Sequence, residues 1–282
     1  MFSKLLKHEW KATSGLLIIL SLCALGVGAM GGGMLRLLNY VSEHMLDNGM
    51  AAIATSGLSS MLFFLMIALV AYILAVQFIT LFRFYKNKFT DEGYLTFTLP
   101  VTTHQIFLSS FLNILIWLVI SVVVLMLSGL LMLLIGVGDP LLQILEALRE
   151  VTQSLGALFS DWELPGAGAL MTFALLHIPV MPVYNIVLLM TSITLGCVLA
   201  KKHKILATIG MYYCIHMGVN MLSSILSVVP TLLMIGGTLS NPDHYVGYLA
   251  FSLALSLLLQ IGLTLGGYFW SVHLMKHKLN LP

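Results

Sequence analysis

The stretch RFYKNKFTDEGYLTFTLPVTTHQ, residues Arg83 to Gln105, is a polar island in a chain that is otherwise nearly all apolar. It carries three of the thirteen Lys and Arg residues and two of the eleven Asp and Glu. Apolar runs long enough to cross a bilayer lie on both sides of it. Two membrane spans joined by a short charged corner are the arrangement this implies. Where charge is this scarce, a structured charged loop is the expected meeting point with a soluble partner.

Of the whole chain, 59% is hydrophobic and only 9% is charged. An ordinary globular domain has about 25% charged residues, so a soluble core is excluded. Runs of about 20 predominantly apolar residues match the length of a membrane-spanning helix. Six are present: Gly15–Leu35, Met61–Phe82, Ile106–Val137, Ala169–Ala200, Ile205–Gly237 and Gly247–His273. Little chain remains between them. The expected architecture is therefore an all-α membrane protein of six spans, a single integral membrane domain over residues 1–282.

The basic residues orient these spans. Lys4, Lys7, Lys11, Arg83, Lys86, Lys88, Lys201, Lys202, Lys204, Lys276 and Lys278 fall in the N-terminus, the second and fourth loops, or the C-terminus. Only Arg36 and Arg149 fall on the other side. The positive-inside rule then predicts both termini and both basic loops to be cytoplasmic, with Leu141–Gln153 external. The net charge of +2 hides this asymmetry and gives no sign of nucleic-acid binding.

The flanks modify the six-span picture. Phe2, Leu5, Leu6 and Trp10 share one helical face, with Lys4, Lys7 and Lys11 on another. Residues 1–14 thus have the pattern of a short interfacial helix ahead of the first span, or of a simple basic flank. The lysines, the apolar run and GVGAMGGG also resemble a signal peptide, but the run is long for a signal core. An uncleaved first span is expected. In the second outer loop Leu141, Leu142, Leu145, Leu148 and Val151 recur at helical spacing, predicting an amphipathic outer helix. Pro179 and Pro182 in the fourth span predict a kink or a break. Cys23, Cys197 and Cys214 lie in apolar spans at no metal spacing and read as small packing residues.

Within the island, Arg83, Lys86 and Lys88 end the second span at the headgroups. Thr90, Asp91 and Glu92 suit the start of a short helix, since a hydroxyl or carboxylate cap and first-turn acid favour its positive end. Tyr94, Leu95, Phe97 and Leu99 give it an apolar face, and Pro100 stops it. Thr102-x-x-Gln105 has the form of a capping box opening the third span. Such a helix, held at both ends, is suited to transmit a push into two spans; equally, it is a well-capped re-entry loop.

The string FYKNKFTDEGYLTFTLPVTTHQI, after an opening MFSKLLKHEWKAT and within six spans, resembles the permease subunits of ABC-2 type exporters of Gram-positive bacteria. The resemblance is specific over residues 82–108, looser over 1–20, and rests on hydropathy elsewhere. It implies that Thr90–Leu99 is a coupling helix docking on an ATPase subunit through Thr90, Asp91, Glu92, Tyr94 and Phe97. Residues 1–13 would be the connecting helix. Two six-span units, two copies or a copy and a sister permease, would form the pathway in the cytoplasmic membrane.

The sequence contains no G-x-x-x-x-G-K-[ST] phosphate loop, so the chain is not expected to be an enzyme. It should bind no cofactor; ATP and magnesium would sit on the partner ATPase. Two other classes compete. Gly57-Leu58-Ser59 with His177 or His216 allows an intramembrane protease, and His177, His216 and His273 allow a haem or metal carrier. Scattered histidines are more often packing residues. No span interior contains Asp or Glu, which argues against proton coupling. For a transport path, Tyr212, His216 and Asn220 lie on one face of the fifth span, and Tyr184 and Asn185 follow the prolines of the fourth. Polar residues in spans serve equally as glue between helices. A path with Tyr, His, Asn and Met but no acid suits an amphipathic or hydrophobic cargo, a peptide or lipid-like molecule.

Overall fold

Long apolar runs without a helix-breaking cluster leave the backbone one way to satisfy its polar groups in a bilayer, which is to coil. The computed structural model describes residues 2–44, 49–98, 100–136, 145–146, 149–150, 152–154, 167–200, 202–236 and 242–277. Its main helices are α1 (Phe2–His44), α2 (Gly49–Phe89), α3 (Asp91–Phe97), α4 (Thr103–Gly136), α5 (Ala167–Leu199), α6 (Lys204–Gly236) and α7 (Pro242–His277). Six of these, all but α3, are long and apolar enough to cross a membrane. No strand occurs among the described residues.

The helices overrun the apolar segments. No break sets residues 2–14 apart: α1 is a single helix of 43 residues. A new start at Thr13 or Ser14 would need their hydroxyls as caps. Instead Thr13 Oγ1 donates to the carbonyls of Glu9 and Trp10, and Ser14 Oγ to that of Lys11. Residues 49–60, including Gly57-Leu58-Ser59, belong to α2 and are not an outer loop. Of the expected kink or break in the fourth span, the break does not occur, since α5 runs through both Pro179 and Pro182. Of the outer amphipathic stretch, Leu145–Glu146, Arg149–Glu150 and Thr152–Ser154 are helical, and the rest lies outside the described residues.

The chain divides into two compact units. Met1–Phe82 with Leu112–Gln153 forms the first, and Arg83–Phe111 with Ser154–Pro282 the second. In the first, Leu17 and Ala24 of α1 pack with Leu69, Tyr72 and Val76 of α2 and with Trp117 and Val124 of α4. Polar pins fix the rotation of α1. Trp10 stacks on Trp117 at 4.7 Å, Trp117 Nε1 donates to Thr13 Oγ1 at 3.1 Å, and the Ser21 and Tyr72 hydroxyls meet at 2.9 Å. Further along, Gly28 and Gly32 let α1 and α4 approach backbone to backbone. A Cβ on Gly28 would fall 2.5 Å from the Ser128 carbonyl oxygen, and one on Gly32 2.7 Å from Ile135 Cβ. This is small-residue packing, which replaces the missing hydrophobic force between helices in lipid.

In the second unit α5 packs against both α6 and α7. Ile186, Val187 and Met190 of α5 and Leu257, Val272 and Met275 of α7 are buried. Ser271 Oγ donates to Thr191 Oγ1 at 3.0 Å inside this layer, where an unpaired hydroxyl would be costly.

Candidate functional site

The polar island lies in the second unit. At its start Thr90 takes extended backbone angles (φ −114°, ψ −170°), which ends α2. Its hydroxyl does not cap α3, as the sequence suggested; it donates to the Lys86 carbonyl and closes the last turn of α2. The first turn of α3 is held instead by Gly93 N donating to the Thr90 carbonyl at 2.8 Å. Lys86 Nζ and Glu92 Oε1 form an ion pair at 3.1 Å, both side chains about half exposed (56% and 51%). Thr96 Oγ1 donates to the Asn87 carbonyl at 3.1 Å, folding the short helix back onto the end of α2.

Beyond Pro100 the expected capping box is present in both directions. Gln105 N donates to Thr102 Oγ1 and Thr102 N to Gln105 Oε1, each at 3.4 Å. Two of the orphan donors of α4 are thereby satisfied.

Beneath the corner is an aromatic floor. Phe84, Phe89 and Phe107 are buried. Phe84 meets Phe89 and Phe107 edge to face at 5.6 and 6.1 Å, and Phe107 meets Tyr268 of α7 at 5.4 Å. These are favourable ring geometries. His104 Nδ1 and the Tyr268 hydroxyl lie 3.0 Å apart, and Lys204 Nζ donates to the Phe89 carbonyl at 3.0 Å. Hence α2, α4, α6 and α7 all hold the corner. Lys88, expected at the headgroups from its charge, is buried within the protein at 2% exposure.

The corner presents Tyr94, 65% exposed, and the half-exposed Glu92 to the outside. Asp91 and Phe97 open and close α3; their side chains lie outside the described residues.

The path candidates separate into two groups. Tyr184 lines a cavity of about 480 Å³ between α5, α6 and α7, with Met211, Ile215 and Val219 facing it from α6. Asn185 is half-buried one position on. His216 and Asn220 lie on another face of α6, exposed, and pair with each other at 2.8 Å. With Tyr213, Met217 and Met221 they form an exposed face of α6. Tyr212 is half-buried, its ring 5.8 Å from that of His216. The structure therefore does not gather Tyr184 with His216 and Asn220 around one space.

Ser59 Oγ donates to the Ser56 carbonyl of its own helix at 3.0 Å. Among the described residues no three His, Cys, Asp or Glu side chains converge as a metal site would require. Comparison with family models, curated proteins and solved structures finds no match to this chain.

Lys204 and Tyr268 carry no sequence signal of their role, since their partners lie 115 and 164 residues away. The cavity face of α6 was visible in principle, because Met211, Ile215 and Val219 recur every four residues.

Proposed function

We propose that this chain is the membrane subunit of an ABC-2 type exporter, driven by a separate ATPase subunit that carries ATP and magnesium. The observation that supports it most is the fastening of α3. The short helix is tied to the end of α2 by Thr96–Asn87 and Lys86–Glu92, and a reciprocal cap opens α4 directly after it. It presents Tyr94 outward, an exposed aromatic of the kind a protein interface uses as an anchor.

A displacement of α3 would then pass along two continuous spans rather than dissipate in a loop. Thr90, Asp91, Glu92, Tyr94 and Phe97 form the docking surface. Both termini and the corner are cytoplasmic, and the first turns of α1 lie in the interface. A second copy or a sister permease completes the pathway. His216 and Asn220 pair with each other on an exposed face, which leaves the second ring nitrogen of His216 and the amide oxygen of Asn220 to be met by water or a partner in hydrocarbon. The cargo is amphipathic or hydrophobic, a peptide or lipid-like molecule.

The Glu92→Lys variant tests the docking role. Surface charge changes usually alter stability by no more than about 0.5 kcal/mol, so the fold should persist. ATPase association, or hydrolysis stimulated by the permease, should fall. Normal association together with wild-type transport would refute the assignment.

A further inference from the structure

The first turns of α1 carry Lys4, Lys7, His8 and Lys11 at i, i+3, i+4 and i+7, a single helical stripe, and all four are exposed. The opposite face of the same turns is occupied. Glu9, Thr13 and Leu17 are buried, and Trp10 and Thr13 are pinned to Trp117. The helix cannot rotate the stripe inward without breaking these contacts. Glu9 is the only acid among residues 1–42, and it faces away from the lysines.

The outward face then changes character within one turn. Past Lys11 it continues through Gly15, where an added Cβ would meet nothing within 4 Å, to Ile18 and Leu22, 50% and 62% exposed. At 1.5 Å per residue Lys4 to Lys11 spans about 10 Å, comparable with one headgroup layer of about 5–8 Å. Ile18 and Leu22 begin about 10 Å further in. A phosphate at Lys7 and Lys11 would place its acyl chains along Gly15, Ile18 and Leu22.

We infer that this face binds an anionic phospholipid, its phosphate held by Lys7 and Lys11 with Lys4 and His8 beside it and its chains along Gly15, Ile18 and Leu22. The positive-inside rule requires only a count of charges on one side of the membrane. It does not require them on one helix face opposite a pinned one, continuous with an open apolar strip. The site is independent of the exporter assignment, because no ATPase takes part in it.

The test uses the full chain in neutral detergent, with bound lipid counted by native mass spectrometry. The probes are mixed micelles of phosphatidylglycerol, of phosphatidylcholine, and phosphatidylglycerol with excess inorganic phosphate. The expected result is a preference for phosphatidylglycerol that weakens with salt and is lost about fivefold for each lysine removed, so about 25-fold in K7Q/K11Q. K7R/K11R should retain it, and K202Q/K276Q, with equal charge loss elsewhere, should leave it unchanged.

An equal loss in K202Q/K276Q would show that net charge alone is felt and would overturn the site. Equal binding of phosphatidylcholine would do the same, and displacement by inorganic phosphate would make it a free-anion site. Unchanged lipid preference in K7Q/K11Q, with loss of a bound protein subunit, would reassign the stripe to an acidic protein. Should K7Q/K11Q fail to fold, K7R/K11R and the salt dependence of the native chain still decide. Loss of the preference in K7R/K11R, or its independence of salt, refutes the site.

Discussion

Lys204 Nζ donates to the main-chain carbonyl of Phe89 at 3.0 Å, joining the first turn of α6 to the last residue of α2. The carbonyls at a helix end have no partner within their helix, and a lysine there also complements the dipole. The contact sits directly before the turn at Thr90.

Lys204→Met keeps the aliphatic stem and removes the donor. A hydrogen bond to a charged group contributes about 1.5–3 kcal/mol, so the solubilised protein should lose stability in that range. Thermal unfolding in detergent measures it. The exporter assignment adds that the ATPase should still bind, with hydrolysis less tightly coupled to transport.

Glycines two positions apart in α1 should respond in opposite ways. Gly28→Ala puts a Cβ 2.5 Å from the Ser128 carbonyl oxygen, backbone that cannot move aside. Overpacking of this kind costs about 1–3 kcal/mol. Gly26→Ala meets nothing within 4 Å and gains helix propensity, so stability should hold or rise by up to about 1 kcal/mol. Parallel melting curves of the two variants decide it.

Much of the fold was legible because its causes are local. Apolar length gave the six spans. Thr90, Pro100 and the Thr102–Gln105 box bounded the island helix, since backbone termination and capping act within four residues. Helix ends were less legible. A fall in hydropathy marks where hydrocarbon stops, whereas a helix continues until something stops it, as α1 does from Phe2 to His44. The candidate site was only partly legible, because Thr90 spends its hydroxyl on Lys86, and Lys204 and Tyr268 reach partners distant in the chain. Charge alone also did not show that Lys88 is buried against the protein.

His216 and Asn220 pair within α6 and face outward, so they contribute little to packing within one chain. His216→Leu should change the melting temperature of the isolated chain only slightly, by less than the ~0.6 kcal/mol average for a hydrogen bond between membrane helices. If they line the path, transport into reconstituted vesicles should fall while the complex still assembles and hydrolyses ATP. Full transport with His216→Leu would remove both residues from the path.

The most direct measurement is a site-specific crosslink from α3. In a background lacking Cys23, Cys197 and Cys214, a thiol crosslinker is attached at Tyr94→Cys, and separately at Arg149→Cys, an exposed position assigned to the opposite side of the membrane. The predicted result is a covalent adduct between the Tyr94→Cys chain and an ATPase polypeptide containing a phosphate-binding loop, with no such adduct from Arg149→Cys. An adduct with the ATPase from Arg149→Cys, or none from Tyr94→Cys in membranes that contain it, would contradict the docking of α3 on an ATPase.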